Sequence, residues 1–171
     1  MQNRFRLRAL ALAVGSALIL TACGGGGGSA TTLSGTAAEG LAITNATLTA
    51  RDTLGNTRST TTDASGNYTL DTAGLSYPLM LQITGSKGVW HALVSADDAG
   101  RTVNVNNATD SVALLALGLG SSAALQSAFA RGNFSQIDAA RIAAADGTLL
   151  DALEHELATG HASLRSARFT P

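Results

Sequence analysis

Between Leu33 and Val105 the sequence is cut into short runs of Thr, Val, Leu and Ile by Gly, Asn, Asp and Ser, whereas after Asn107 the turn residues thin out and Ala and Leu take over. A period of two gives way to a helical period, so the two halves must be built from different elements. In "ATLTARD" (46–52), Ala46, Leu48 and Ala50 alternate with Thr47, Thr49 and Arg51, which predicts a half-buried strand. "LGN" (54–56) supplies a turn, "RSTTTD" (58–63) predicts a polar edge strand, "ASG" (64–66) turns again, and "NYTLD" (67–71) alternates Tyr68 and Leu70 against Asn67 and Thr69. Hairpin order is the simplest arrangement for these three. "PLMLQITG" (78–85) and "GVWHALVSA" (88–96) are more continuously apolar and suit strands in the middle of a sandwich, with Pro78 at the head of its run, where a strand tolerates proline. "GRTVNVN" (100–106) predicts a last alternating strand with Val103 and Val105 inward. The expectation is an antiparallel, seven-stranded β-sandwich over residues 33–107.

Residues 108–171 are expected to form a short α-helical C-terminal region. "TDSVALLALG" (109–118), "SSAALQSAFARG" (121–132) and "SQIDAARIAAADG" (135–147) predict short helices punctuated by glycine. In "TLLDALEHELATG" (148–160), Leu149, Leu150, Leu153 and Leu157 share one helical face. Thr148 with Asp151 three residues on has the form of a capping box, and Gly160 that of a C-terminal stop. None of these runs is long enough to span a bilayer.

The start of the chain is not domain material. Arg4, Arg6 and Arg8 precede an uncharged apolar run from Ala9 to Leu20, the layout of a secretory signal over residues 1–22. As a helix that run would reach about 18 Å, short of the ~30 Å hydrocarbon core. It ends in Leu20-Thr21-Ala22-Cys23, which resembles the bacterial lipobox and implies lipid attachment to Cys23. Cys23 is the chain's one cysteine, so an intramolecular disulfide gives it no structural use. Glycines follow it, and residues 23–32 are expected to form a flexible tether.

Of the 11 basic residues three lie ahead of Cys23, and none of the 12 acidic ones does, so processing there leaves 8 basic residues and a charge of −4. That balance argues against a nucleic-acid role and against electrostatic adhesion to anionic lipid. The membrane would be a partner through the N-terminal lipid alone. Gly24, after the cysteine in place of aspartate, implies by resemblance the outer membrane, at the periplasmic face or cell surface.

"LSGTAAEGLAITNATLTARDTLGNTRSTTTDASGNYTLDTAGLSYPLMLQITG", Leu33 to Gly85, resembles the carboxypeptidase-regulatory-like or transthyretin-like domains of bacterial envelope lipoproteins. The likeness lies in the opening Ser-Gly-Thr, the Gly-Asn hairpin, and Thr62-Asp63-x-x-Gly66-x-Tyr68-x-Leu70. Asp63 can bond turn amides, Gly66 can take a positive φ, and Tyr68 and Leu70 return the chain to the core. Downstream, Asn104, Val105, Thr109 and Asp110 resemble the passage from sandwich to helical tail in such lipoproteins, although Asn107 and Ala108 stand where proline and leucine are usual.

Candidate chemistry is sparse. His155, Glu156 and His161 in "HELATGH" lack the second histidine four residues on that a helical zinc site needs, since Thr159 is there. Asp63, Ser65 and Asn67 alternate as calcium ligands do, but no glutamate closes a 12-residue loop. No Gly-x-Ser-x-Gly elbow exists. Lys87, the only lysine, falls in a loop and not in the first core strand, where an isopeptide-forming lysine belongs. Trp90, beside His91, is either core packing or a platform for an apolar sugar face. The sequence therefore points to a non-enzymatic envelope protein without cofactor or metal, presenting its sandwich for structural or protein-interaction purposes. The alternative is a carbohydrate-binding module with Trp90 as ligand contact, which rests on fold analogy.

Overall fold

The computed structural model describes residues 32–153. Six strands, β1 (Thr32–Thr36), β2 (Thr47–Asp52), β3 (Thr57–Thr61), β4 (Asn67–Asp71), β5 (Leu79–Thr84) and β6 (Val89–Val94), are followed by a 3-10 turn at Ala96–Asp98. Three helices complete the order: α1 (Asn107–Leu117), α2 (Ser122–Arg131) and α3 (Ala139–Leu153). The strands form an antiparallel sheet in the order β3-β2-β5-β6 and a two-stranded sheet of β1 and β4.

Alternation in β2 places Leu48, Ala50 and Asp52 on the face turned toward β1 and β4, and Thr49 and Arg51 on the other. Leu48, Leu79, Leu81, Ile83, Ala92 and Val94 meet Leu33, Tyr68, Leu70, Val103 and Val105 between the sheets. Each buried Leu, Ile or Val among them contributes about 1.5–3 kcal/mol of burial free energy. β5 and β6 bury apolar side chains on both faces: Met80 and Leu93 point away from the inter-sheet core into a second core with Val112, Ala113, Leu125, Phe129, Phe134 and Ile142. A mainly β chain with a helical appendage is thus corrected to a mixed architecture of two sheets and a helical layer. The helices pack on the sheet where its outward face carries Met80 and Leu93, and His91 on the same face bonds Asp110 of α1.

Two strand expectations are also corrected. β2 and β3 form the expected hairpin, but β4 pairs with β1 and not with β3. All five residues of β3 are exposed or partly exposed, which suits an edge, whereas β4 buries Tyr68 and Leu70 and crosses to the facing sheet to do so.

The seventh strand, at 100–106, does not form as a regular strand. This segment lies parallel to β1 and makes isolated bridges, Ser34 to Thr102 and Ala37 to Val105. Val103 N–H donates to the Ser34 carbonyl, and Val105 N–H to that of Thr36. Regular parallel pairing would send Thr36 N–H to the Val103 carbonyl. That carbonyl instead accepts the hydroxyl of Tyr68, and Thr36 N–H turns to Asn104 Oδ1 at 3.0 Å.

The helix boundaries follow from caps. Asn106 Oδ1 accepts from Ala108 N and Thr109 N at 2.8 and 3.1 Å, and Thr109 Oγ1 accepts from Asn106 N at 2.9 Å, so α1 starts two residues before its predicted beginning. The expected break at Gly147 is absent: α3 runs through it, and Thr148 donates to Ala144 O in mid-helix, with no cap formed toward Asp151. Leu149, partly buried against the second core, holds that turn on the helical layer and favours continuation. Among the described residues no single helix is long and apolar enough to cross a membrane. Residues 1–31, with Cys23, and the "HELATGH" segment with His155, Glu156, Leu157, Gly160 and His161 lie outside the described residues.

Candidate functional site

The chemistry-bearing side chains collect in three places. The first is the turn from β3 to β4. Asp63 Oδ1 accepts from Ser65 N and Asn67 N, both at 2.8 Å, and Oδ2 from Asn67 Nδ2 at 3.2 Å. The Asn67 and Ser65 amides hold its carboxyl below the usual aspartate range. Gly66 has φ +76°, and a Cβ there would lie 2.6 Å from the Ala37 carbonyl, so the turn requires glycine. Tyr68 is buried, and that burial raises its phenol above the usual tyrosine range. The motif is occupied with closing a turn and anchoring a strand.

The second place is the end of β6, where Glu39 gathers donors from 86–90. Its carboxylate accepts from Ser86 N at 2.8 Å, Ser86 Oγ at 2.5 Å, Lys87 N at 2.9 Å and Trp90 Nε1 at 3.0 Å. Burial pushes the carboxyl up, but the donors from Ser86, Trp90 and Lys87 outweigh it and hold the pKa at about 2. Lys87 Nζ donates to the Glu39 carbonyl at 3.1 Å. Trp90 is half-buried against the inter-sheet core, with its indole N–H committed to Glu39. It has the character of a packed residue pinned at one edge.

The third place lies where the helices meet the sheet. His91, fully buried on β6, gives its main-chain N–H to Asp110 Oδ1 at 3.0 Å, and its ring Nδ1 lies 2.8 Å from the same oxygen. The His91 carbonyl accepts from Thr109 Oγ1 at 2.9 Å. Ring Nε2 lies 2.9 Å from Gln82 Nε2 on β5. Donation from Nδ1 to Asp110 with Nε2 unprotonated is the tautomer in which the Gln82 amide N–H donates to the ring. The chain Asp110–His91–Gln82 thus joins the first turn of α1 to two strands.

Gln82, half-buried, opens onto a groove of about 620 Å³ between the sheet and α2. Gln126 and Ser127 of α2 and Arg51 of β2 supply its other polar groups, and Ala123, Phe129 and Ala130 its apolar wall.

The structure does not join the predicted residues into one site: Asp63, Gly66 and Tyr68 belong to a turn, and Trp90 to the Glu39 cluster. Sequence reasoning missed the pairing of His91 with Asp110. The available signal was the histidine itself, since a histidine inside the buried run "VWHALV" demands hydrogen-bond partners. Arg51 was legible as a residue of the outward face of β2, though not as part of a groove. Among the described residues no group of three or more His, Cys, Asp or Glu is placed to hold a metal. No protein-family model, curated protein or solved structure matches the chain.

Proposed function

We propose that the protein is a non-enzymatic, lipid-anchored cell-envelope protein that presents a transthyretin-like, carboxypeptidase-regulatory-like sandwich with its helical layer as an interaction unit at the outer membrane. The observation that carries this reading is the order of features at the start of the chain. An apolar run closes on Leu20-Thr21-Ala22-Cys23, glycines follow, and the first strand begins at Thr32. A lipid on Cys23 would hold the membrane end of a short coil whose other end enters the fold directly. Two facing sheets of antiparallel strands support the sandwich part of the reading. The His91–Asp110 pair, which could suggest acid–base chemistry, is buried and clasps a helix to a strand.

Metabolic labelling with an alkyne fatty acid tests the anchor. The wild-type chain is expected to take up label and fractionate with membranes, while Cys23→Ala accumulates as unlabelled precursor. Normal maturation and membrane fractionation of Cys23→Ala would refute the anchor.

A further inference from the structure

The two most exposed large apolar side chains among the described residues, Leu54 at 75% and Leu41 at 69%, lie at opposite ends of the fold. Leu54 sits in the turn between β2 and β3, and Asp52 beside it pairs with Leu79 at the start of β5. Leu41 accepts from Glu39 N, and the Glu39 carboxylate is held by Ser86 and Lys87, past the other end of that strand. The six residues of β5 set these ends about 17 Å apart. The described chain begins at the Leu54 end: Thr32 pairs with Asp71, and the loop after Asp71 brings Ser76 N to Asp52 Oδ2. Asp52 also braces the turn, since Oδ1 accepts from Leu54 N and Asn56 N at 3.0 and 2.8 Å, and Oδ2 from Asn56 Nδ2 at 2.8 Å. A single exposed leucine is ordinary, but this one adjoins an apolar groove. A Cβ on Gly132 would lie 3.0 Å from Thr53 O, and the neighbours of Gly132, Arg131 and Asn133, line a groove of about 410 Å³ with Ala124 and the partly buried Leu117 and Leu119.

From this we infer that the Leu54 end of the fold docks on a lipid bilayer, with Leu54 inserted among the headgroups and the Leu117–Leu119 groove turned toward them. The inference rests on the Cys23 anchor of the proposed function. A lipid on Cys23 would stand nine positions ahead of Thr32, and a coil of that length reaches roughly 15–18 Å. That reach is about the length of β5, so the Thr32 end is kept near the lipid surface and the Leu41 end is turned toward water. A braced turn suits insertion, because little conformational freedom remains to be lost when its tip is buried. The balance of charge is acidic once residues 1–22 are removed, so apolar burial and not attraction to anionic lipid carries the contact.

The test uses the full lipidated chain in vesicles of phosphatidylethanolamine and phosphatidylglycerol in equal parts. Acylation blocks Cys23, the one native thiol, so Leu54→Cys, Leu41→Cys and Asn133→Cys, all at exposed positions, each offer a single site for an environment-sensitive fluorophore. Probes at 54 and 133 are expected to shift to the blue and to be quenched by brominated lipid several-fold more than the probe at 41, in high salt as in low. Adding Leu54→Asp should cut the quenching at 133 several-fold while the acyl chains keep the protein on the vesicles. Mass spectrometry of Cys23 separates two failures. An unacylated Cys23 would sink the anchor and the docked face together. With Cys23 acylated, equal quenching at 54 and 41, quenching at neither, loss of quenching in high salt, or quenching at 133 that ignores Leu54→Asp would overturn the docked face alone.

Discussion

The hydroxyl of Tyr68 donates to the main-chain carbonyl of Val103, crossing β1 to reach it. Tyr68 pairs with Gly35, and a Cβ on Gly35 would lie 1.9 Å from the Val103 oxygen and 3.0 Å from the tyrosine ring. The aromatic side chain therefore uses the space that glycine leaves, and the two residues depend on each other. Gly35→Ala should destabilise the fold by about 3 kcal/mol or more, because backbone must move to admit one methyl group. Tyr68→Phe keeps the packing and strands one carbonyl, so about 1–2 kcal/mol is expected. Urea unfolding of both variants checks the order of the two effects.

Asp110 Oδ1 serves both His91 N and His91 Nδ1 from within the first turn of α1. Asp110→Ala leaves two buried donors without an acceptor and should cost about 2–4 kcal/mol, whereas Asp110→Asn retains an oxygen and should cost about 1 kcal/mol. Long-range proton–nitrogen NMR at neutral pH is expected to find the His91 proton on Nδ1. A proton on Nε2 would show that the Gln82 contact runs the other way.

Glu39 makes stability depend on acid. Its carboxyl is at about 2 in the folded chain against 4.5 as the reference value. A lowered folded pKa stabilises the fold above the unfolded value and loses that contribution as pH falls through the folded one, so the window runs from about 4.5 down to about 2. Asp52 and Asp63, also held below the usual range, add to the loss from about 3.8 downward. In Glu39→Gln the decline of Tm between pH 4.5 and 2 should be shallower than in the wild type. Fluorescence of Trp90, the chain's one tryptophan and a donor to Glu39, reads the local change directly.

Gly147 lies inside α3, and a Cβ built on it meets nothing within 4 Å. Gly147→Ala should therefore stabilise the protein by about 0.5–1 kcal/mol, the difference in helix propensity. Loss of stability would mean that the helix needs glycine at this point, as a break between two helices would. Thermal unfolding followed at the helical circular-dichroism band decides it.

Much of the local structure was legible because it depends on neighbours in sequence. The alternation in 46–52, the polar character of β3, and the Asp63–Gly66 turn chemistry all follow from residues within a few positions of one another. Partner choice was less legible. β4 could pair with β3 by proximity, yet its buried Tyr68 and Leu70 are satisfied only across the sandwich, and the expected seventh strand lost its regular ladder to one tyrosine hydroxyl from 35 residues away. The candidate groove was not legible at all, since Arg51, Gln82 and Gln126 come from three elements.

Most of the strand and helix segments and the turn at Asp63–Gly66 follow from the sequence alone, since period and turn chemistry are properties of short stretches. Packing across the fold set the rest: the helices cover Met80 and Leu93 of β5 and β6, Asp110 clasps His91, and among the described residues Arg51 stands beside α2 in no ion pair. Those outcomes depend on which apolar faces and buried polar groups find each other across the fold, and that is settled by long-range packing, which no local pattern encodes.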